Sequence, residues 1–374
     1  MSDLLYLDHN ATTPVLPEAQ AAMADALANC WGNPSSGHAA GRAARKVVDD
    51  ARKTIAELVD ADRGARVIFV SGATEGINQV IASAPAGRLV TTALEHPAVH
   101  AAAARRDDLT VELVAVEESG HVDALKLLDV VTAGEPPSLV CCMAANNETG
   151  VVQPIGELIR PLRALEIPLM VDASQMAGRL PLNFEAPDFL VLTAHKLGGP
   201  KGIGAVVIGE AMTLAPLIVG GGQEGDLRSG TEPVPAIAGF GAAARVVIDT
   251  RQEEASRLWS LREAMARHLL HLLPGSRVIG LGAPRLPNTL SFALPEGVSA
   301  TAVKVALDAE EICVSSGSSC HEGQSAPSAV LTAMGIQADE ALRVLRISMG
   351  RVNSAEDIKR FVERLPEVVA EASQ

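Results

Sequence analysis

A chain of 374 residues, 48% apolar and 20% charged, is too long for one small core and too apolar to be disordered. Its net charge of −14 argues against nucleic acid or an anionic membrane surface as the main partner, and no apolar run is long enough to span a bilayer. With aromatics at 2%, the core must come from Val, Leu, Ile and Ala.

The N-terminus, MSDLLYLDHN, has no basic stretch before its apolar residues, so no signal peptide is expected. The stretch LLYLDHNATT fits packing with either half of the molecule. A helix is predicted from Pro17 (PEAQAAMADALANC), broken at WGNPSSG, and a longer one over roughly His38 to Val59. Short β-branched runs then alternate with helical stretches: RVIFV, RLVTT, SLVCCM, PLMVD, DFLVL and GAVVI. This alternation predicts an α/β fold with a mostly parallel sheet and helices on both faces.

Ligands in such sheets bind at the carboxyl ends of the strands. Polar clusters follow these strands: SGATEG, EHPAV, NNETG, DASQ and TAHK. Their regular placement predicts one site built from five segments. Beyond about residue 250 a long amphipathic stretch (RQEEASRLWSLREAMARHLLHLL) leads into short strands RVIG, TLSFAL, EICVSS and LRVLRIS, which reads as a smaller α+β domain. The expected division is 14–250 for the large domain, with 1–13 and 251–374 for the small one.

Lys196, in TAHKLGGPKG, is the informative residue. A Walker A loop needs its glycines before the lysine and Ser or Thr after it, and neither is present. A lysine just after a buried-looking strand, with Thr193 and His195 beside it and Asp172 closing the previous strand, matches the needs of pyridoxal phosphate. Lysine forms the Schiff base, and aspartate keeps the pyridine nitrogen protonated. A lone lysine is ordinarily a surface residue, His96 alone reads equally as a helix cap, and Asp172 alone as a strand-end turn residue.

The ordered set YLDHNATTP, NPSSGH, SGATEGIN, EHPAV, NNETGVVQPI, VDASQ, TAHKLGGPKG, GGGQEGDLRSGTEP, SSGSSC and LRISMGR resembles the cysteine desulfurases of the NifS and IscS type, within the class V aminotransferases of PLP fold type I. The resemblance covers nearly the whole chain. It implies that fold, with a seven-stranded sheet in the large domain, and conversion of L-cysteine to L-alanine with the sulfur passed to an enzyme cysteine as a persulfide. Lys196 would hold the cofactor and take the substrate's α-proton. His96 would stack on the ring and shuttle protons, Asp172 would pair with the ring nitrogen and Gln175 with the phenolic oxygen. Thr74, Thr193 and His195 would bind the phosphate, and Thr231 would serve the phosphate of a second subunit, implying a homodimer. Arg346 would take the substrate carboxylate with help from Asn147; an arginine in an apolar strand pattern is costly unless something pairs with it.

Five cysteines, none in zinc spacing, suggest a reduced cytoplasmic setting and no metal. Cys30, Cys141, Cys142 and Cys313 read as small apolar fillers. Cys320, in the polar stretch SSGSSCHEGQSAPS, is by resemblance the sulfur acceptor, on a loop of about 317–327 expected to swing between the substrate and a sulfur-acceptor protein. Iron–sulfur clusters, thio-cofactors and tRNA modification are the destinations the family implies.

Several features depart from the family pattern. The chain stops soon after LRISMGR, Gln223 and Gly225 stand where relatives commonly carry His and Arg, and His321 and Glu322 follow the cysteine. CHEG is similar to selenocysteine lyases, the enzymatic rival. A sulfur-relay subunit of low intrinsic activity is the second alternative, and a generic transaminase, which needs no Cys320, is weaker.

Overall fold

The computed structural model describes residues 4–316, 319–321 and 324–372, with only the backbone at 319–321 and 324–325. Seven strands form the main sheet, in the spatial order Arg66–Val70, Gly204–Ile208, Phe189–Thr193, Leu169–Asp172, Leu139–Cys141, Gly87–Thr92 and Leu109–Val114. Gly204–Ile208 is antiparallel to both neighbours, and all the other pairs are parallel. The link before it, 194–203, is too short for the crossover that a parallel strand needs.

All six runs singled out above as strands are present in this sheet. Leu109–Val114 is the edge strand and was not among those runs: LTVELV alternates apolar and polar residues instead of running continuously apolar like the inner strands, and Thr110, Val111 and Leu113 lie exposed. Side-chain alternation sends Val67 and Phe69 into the core on one face of the sheet, and Ile68 and Val70 into that on the other.

The two expected N-terminal helices appear as Pro17–Asn29 and Ala39–Leu58, the second capped by His38, whose Nδ1 accepts from Gly41 N at 3.2 Å. A single helix, Val234–Leu272, runs without interruption through residue 250, where the composition changes. Its last proline is in the first turn, so nothing in the sequence breaks it later. Val247 and earlier residues pack in the core beside the main sheet; Leu258, Met265 and Leu269 pack in a separate core with Leu5, Leu7, Phe292 and Phe361.

That second core covers an antiparallel sheet in the order Ser315–Ser316, Val344–Ser348, Thr289–Ala293 and Arg277–Val278. The N-terminal segment belongs to both halves. Leu5–Tyr6 pairs with Ile312–Cys313 and Asp8 bridges to Ser348, after which Thr13 N donates to His195 O at 3.0 Å beside the main sheet. Within the stretch expected to be a loop, strands Ser319–His321 and Gln324–Ala326 pair antiparallel, so their backbone groups partner one another.

Candidate active site

Where strands end and helices begin, backbone N–H and C=O groups lose their partners, and polar side chains collect there. One cavity of about 650 Å³ lies at the carboxyl edge of the main sheet. Residues from all five polar clusters line it: Thr74, His96, Asn147, Asp172 with Gln175, and Thr193 with His195 and Lys196. Arg346 enters from the second sheet. Thr231 does not line it; that residue is exposed on the loop before the long helix. The side chain of Cys320 lies outside the described residues.

Lys196 closes a 3-10 turn, Ala194–Lys196, directly after the strand Phe189–Thr193. Its Nζ donates to the carbonyls of Asn10 and, at 2.7 Å, of Ala11. Burial pulls its pKa down to about 8, Arg179 and Arg346 push the same way, and Asp172 and Asp8 oppose them. His195 Nδ1 lies 3.1 Å from Thr12 Oγ1, and burial with the charge of Lys196 lowers its pKa to about 4, so the ring is neutral at physiological pH.

His96 both caps a helix and lines the cavity. Its Nδ1 accepts from Ala98 N at 3.1 Å, at the start of Pro97–Ala103. A ring that accepts at Nδ1 carries its proton on Nε2. Loss of solvation lowers its pKa; Asp172 opposes this and Lys196 adds to it. Asp172 likewise holds a turn, its Oδ1 accepting from Ser174 N at 2.9 Å, and lines the same cavity.

The helix Ala73–Ser83 opens on the cavity with Gly72 at its N-cap and no side-chain cap. Its first N–H groups and the positive end of its dipole therefore stand beside Thr74 and Thr193, an arrangement that favours an anion.

Arg346 is not the unpaired cation that its apolar strand suggested. Its Nη2 donates to Asp8 Oδ1 at 2.7 Å and its Nη1 to Asn147 O at 3.1 Å, while its buried Nε has no partner among the described residues. Asp8 comes from the N-terminal segment, 338 residues away in sequence, which is why local pattern concealed the pair. Asn10 was also missed. It is buried, donates from Nδ2 to Asn147 O and Thr289 Oγ1, and its carbonyl accepts from Gln175 and Lys196. The polar run DHNAT inside an otherwise apolar start was the available signal.

Burial raises the thiol pKa values of Cys141 and Cys142, the behaviour of apolar fillers; Cys30 and Cys313 are half-buried. No cluster of metal-ligating side chains occurs among the described residues, and none of the described helices is long and apolar enough to cross a membrane.

Residues 5–361 match the model of the family "Aminotransferase class-V". A cysteine desulfurase of Frankia sp. (strain EuIK1) is 38% identical, the match covering 98% of this chain and 91% of the relative. An IscS-like cysteine desulfurase of Mycobacterium tuberculosis is 36% identical over 99% of this chain and 97% of its own length. Among solved structures, a NifS-like protein from Rickettsia africae superposes with a TM-score of 0.89 at 32% identity, covering 98% of this chain and 99% of that one.

Proposed function

We propose, from the premise that this chain belongs to the class-V aminotransferase family and within it to the cysteine desulfurases, that it uses pyridoxal phosphate to convert L-cysteine to L-alanine, taking the sulfur onto Cys320 as a persulfide. The observation that carries this reading is the convergence of Lys196, Asp172, His96, Arg346 and the uncapped helix start at Thr74 on one cavity.

The donor set fits a phosphorylated aromatic aldehyde: an amine of lowered pKa, a carboxylate at a strand end, and an anion-favouring helix start. Lys196 would hold the aldehyde, Asp172 the ring nitrogen and Gln175 the phenolic oxygen, while Thr74, Thr193 and His195 would receive the phosphate and His96 would face the ring. Once bound, this cofactor supplies an electron sink that acidifies the substrate Cα–H and loosens its Cβ–S bond.

Arg346 and Asn147 orient the substrate by its carboxylate; a guanidinium does this in two parallel hydrogen bonds. An amine with a pKa of about 8 is partly unprotonated near neutrality, as Lys196 must be to take the α-proton. His96, with its proton on Nε2, is placed to pass protons. The Cys320 thiolate attacks the substrate sulfur and the Cβ–S bond breaks. Its electron pair stays on carbon, which takes up a proton and leaves as alanine, and the sulfur remains on Cys320 for an acceptor protein.

The test is an absorption spectrum of the protein with pyridoxal phosphate, before and after L-cysteine, with alanine and sulfide assayed together. A visible band that changes, with both products formed, is expected; Cys320→Ser keeps the band and loses sulfide release. Turnover of L-selenocysteine alone would replace this reading by selenocysteine lyase.

A further inference from the structure

Arg179 is buried, 7% exposed, and among the described residues no carboxylate pairs with it. Its guanidinium goes to carbonyl oxygens of the site instead. Nη1 donates to Gln175 O at 2.8 Å and to Gln175 Oε1 at 2.9 Å, and Nη2 donates to His9 O at 2.9 Å. A buried, unneutralised guanidinium is expensive, and its place next to Lys196 and Gln175 calls for a reason.

An arginine can only donate, so the end of the Gln175 amide that meets it must be the oxygen. The NH₂ end is thereby turned away from Arg179, where it donates to Asn10 O at 3.0 Å and keeps its second hydrogen, beside the cavity that Gln175 lines. Gln175 can then act towards a bound oxygen only as a donor. The same cation holds the carbonyl of His9 while Lys196 holds those of the next two residues, Asn10 and Ala11, and both side chains line one smaller cavity; a second positive charge there disfavours the ammonium form.

We infer that Arg179 is a positioning residue of this site: it locks the Gln175 amide with its NH₂ towards the cavity, and its positive charge keeps the Lys196 amine available as a base. The inference rests on Lys196 being the lysine that holds the cofactor. Other charges face Lys196 as well: Arg346 adds to the effect, Asp172 and Asp8 oppose it, and His96 and His195 stand beside it. A substitution at Arg179 changes one contribution and leaves these in place.

The experiment uses the cofactor-free full chain and reads the pH dependence of Lys196 acetylation by acetic anhydride, peptide by peptide, with thermal melts as a folding control. The wild-type midpoint is expected near about 8. Arg179→Gln can still donate to Gln175 Oε1 but carries no charge. Its midpoint rises by about one pH unit, so that labelling at pH 7 slows about tenfold. Arg179→Lys keeps the charge and the wild-type midpoint. An unchanged midpoint in Arg179→Gln, or one in Arg179→Lys that rises by a full unit, overturns the charge role; the lysine variant keeps the question answerable if the glutamine variant does not fold.

The lock is read from the bound cofactor's absorption maximum. Arg179→Met moves it to the position seen in Gln175→Ala, whereas a wild-type maximum in Arg179→Met overturns the lock. Failure of the cofactor assignment itself would look different: wild-type protein would show no visible band with pyridoxal phosphate, although the Lys196 midpoint could still be measured.

Discussion

Arg346 and Asp8 illustrate how the site holds charge before any substrate arrives. The guanidinium is half-buried, oriented by Asp8 through Nη2 and by the Asn147 carbonyl through Nη1. Replacing it by lysine keeps a charge for Asp8 but removes the planar fork. Arg346→Lys is expected to lower kcat/KM for L-cysteine about 10- to 100-fold, mainly through KM, because hydrogen bonds to charged groups contribute roughly 1.5–3 kcal/mol; steady-state alanine formation is the measurement. Glu95, next to His96, makes a second prediction. It is buried, Oε1 accepts from Met143 N at 2.9 Å, and Oε2 has no partner among the described residues. Burial raises its pKa to about 8, with Asp172 adding to the rise. The folded state therefore binds this proton more tightly than the unfolded chain. Stability falls as pH climbs from the ordinary glutamate range towards about 8, by at most about 1.4 kcal/mol per unit. Glu95→Gln should flatten the Tm profile between pH 5 and 8, and a slope equal to the wild type's would refute the assignment.

At the scale of elements, the helix Ala73–Ser83 positions the proposed phosphate site, and Gly76 determines how closely it lies on the sheet. A Cβ there would fall 2.7 Å from Val206 Cγ2 and 3.0 Å from Val191 Cγ1, both on central strands of the sheet. Gly76→Ala must push the helix outward or force those valines off their rotamers, at a cost of about 1–3 kcal/mol. The expected result is a lower Tm together with a pyridoxal phosphate affinity at least about tenfold weaker, as the N–H groups beside Thr74 move. A fall in Tm with unchanged affinity would show that the helix start does not hold the cofactor. The long helix Val234–Leu272 serves a different purpose. It packs in both cores, so its mid-point is a mechanical link between the sheet that carries Lys196 and the sheet that carries Arg346.

For the whole molecule, Thr231 is the residue that a single chain leaves without a task at its own cavity. Leu217, Ile218 and Val219, exposed by 47%, 40% and 77%, lie on the same connecting stretch. If Thr231 serves the phosphate of a second copy, the molecule sediments at twice 38.8 kDa. Subunit complementation then follows. Thr231→Ala and Lys196→Ala are each impaired as homodimers, but a mixed dimer assembles one site with both native residues. Co-expression should recover up to half of the wild-type activity per dimer, and no recovery in a purified mixed dimer would place Thr231 outside the site.

Much of this was legible in the order of short segments. Short continuous β-branched runs ending in polar clusters predicted the sheet and the edge on which those clusters gather, because apolar runs and the polar residues that end them are local properties of the chain. Lys196, Asp172, His96 and Thr74 could be named for the same reason: Asp172 ends its strand, and the others come within four residues of the end of theirs. What the sequence could not reveal were contacts between distant segments. Asp8 meeting Arg346, Asn10 receiving Lys196, and Arg179 reaching back to His9 depend on how the N-terminal segment crosses between the sheets. The dual use of His96 and Asp172, each holding a turn while facing the cavity, was likewise undecidable from spacing, since a cap and a ligand contact place the same demands on local sequence. The chain by itself determined which chemistry-bearing residues stand at strand ends; only the tertiary structure decided which charges neutralise, orient or oppose one another, because Coulombic and hydrogen-bond energies depend on distance in space and not on separation along the chain.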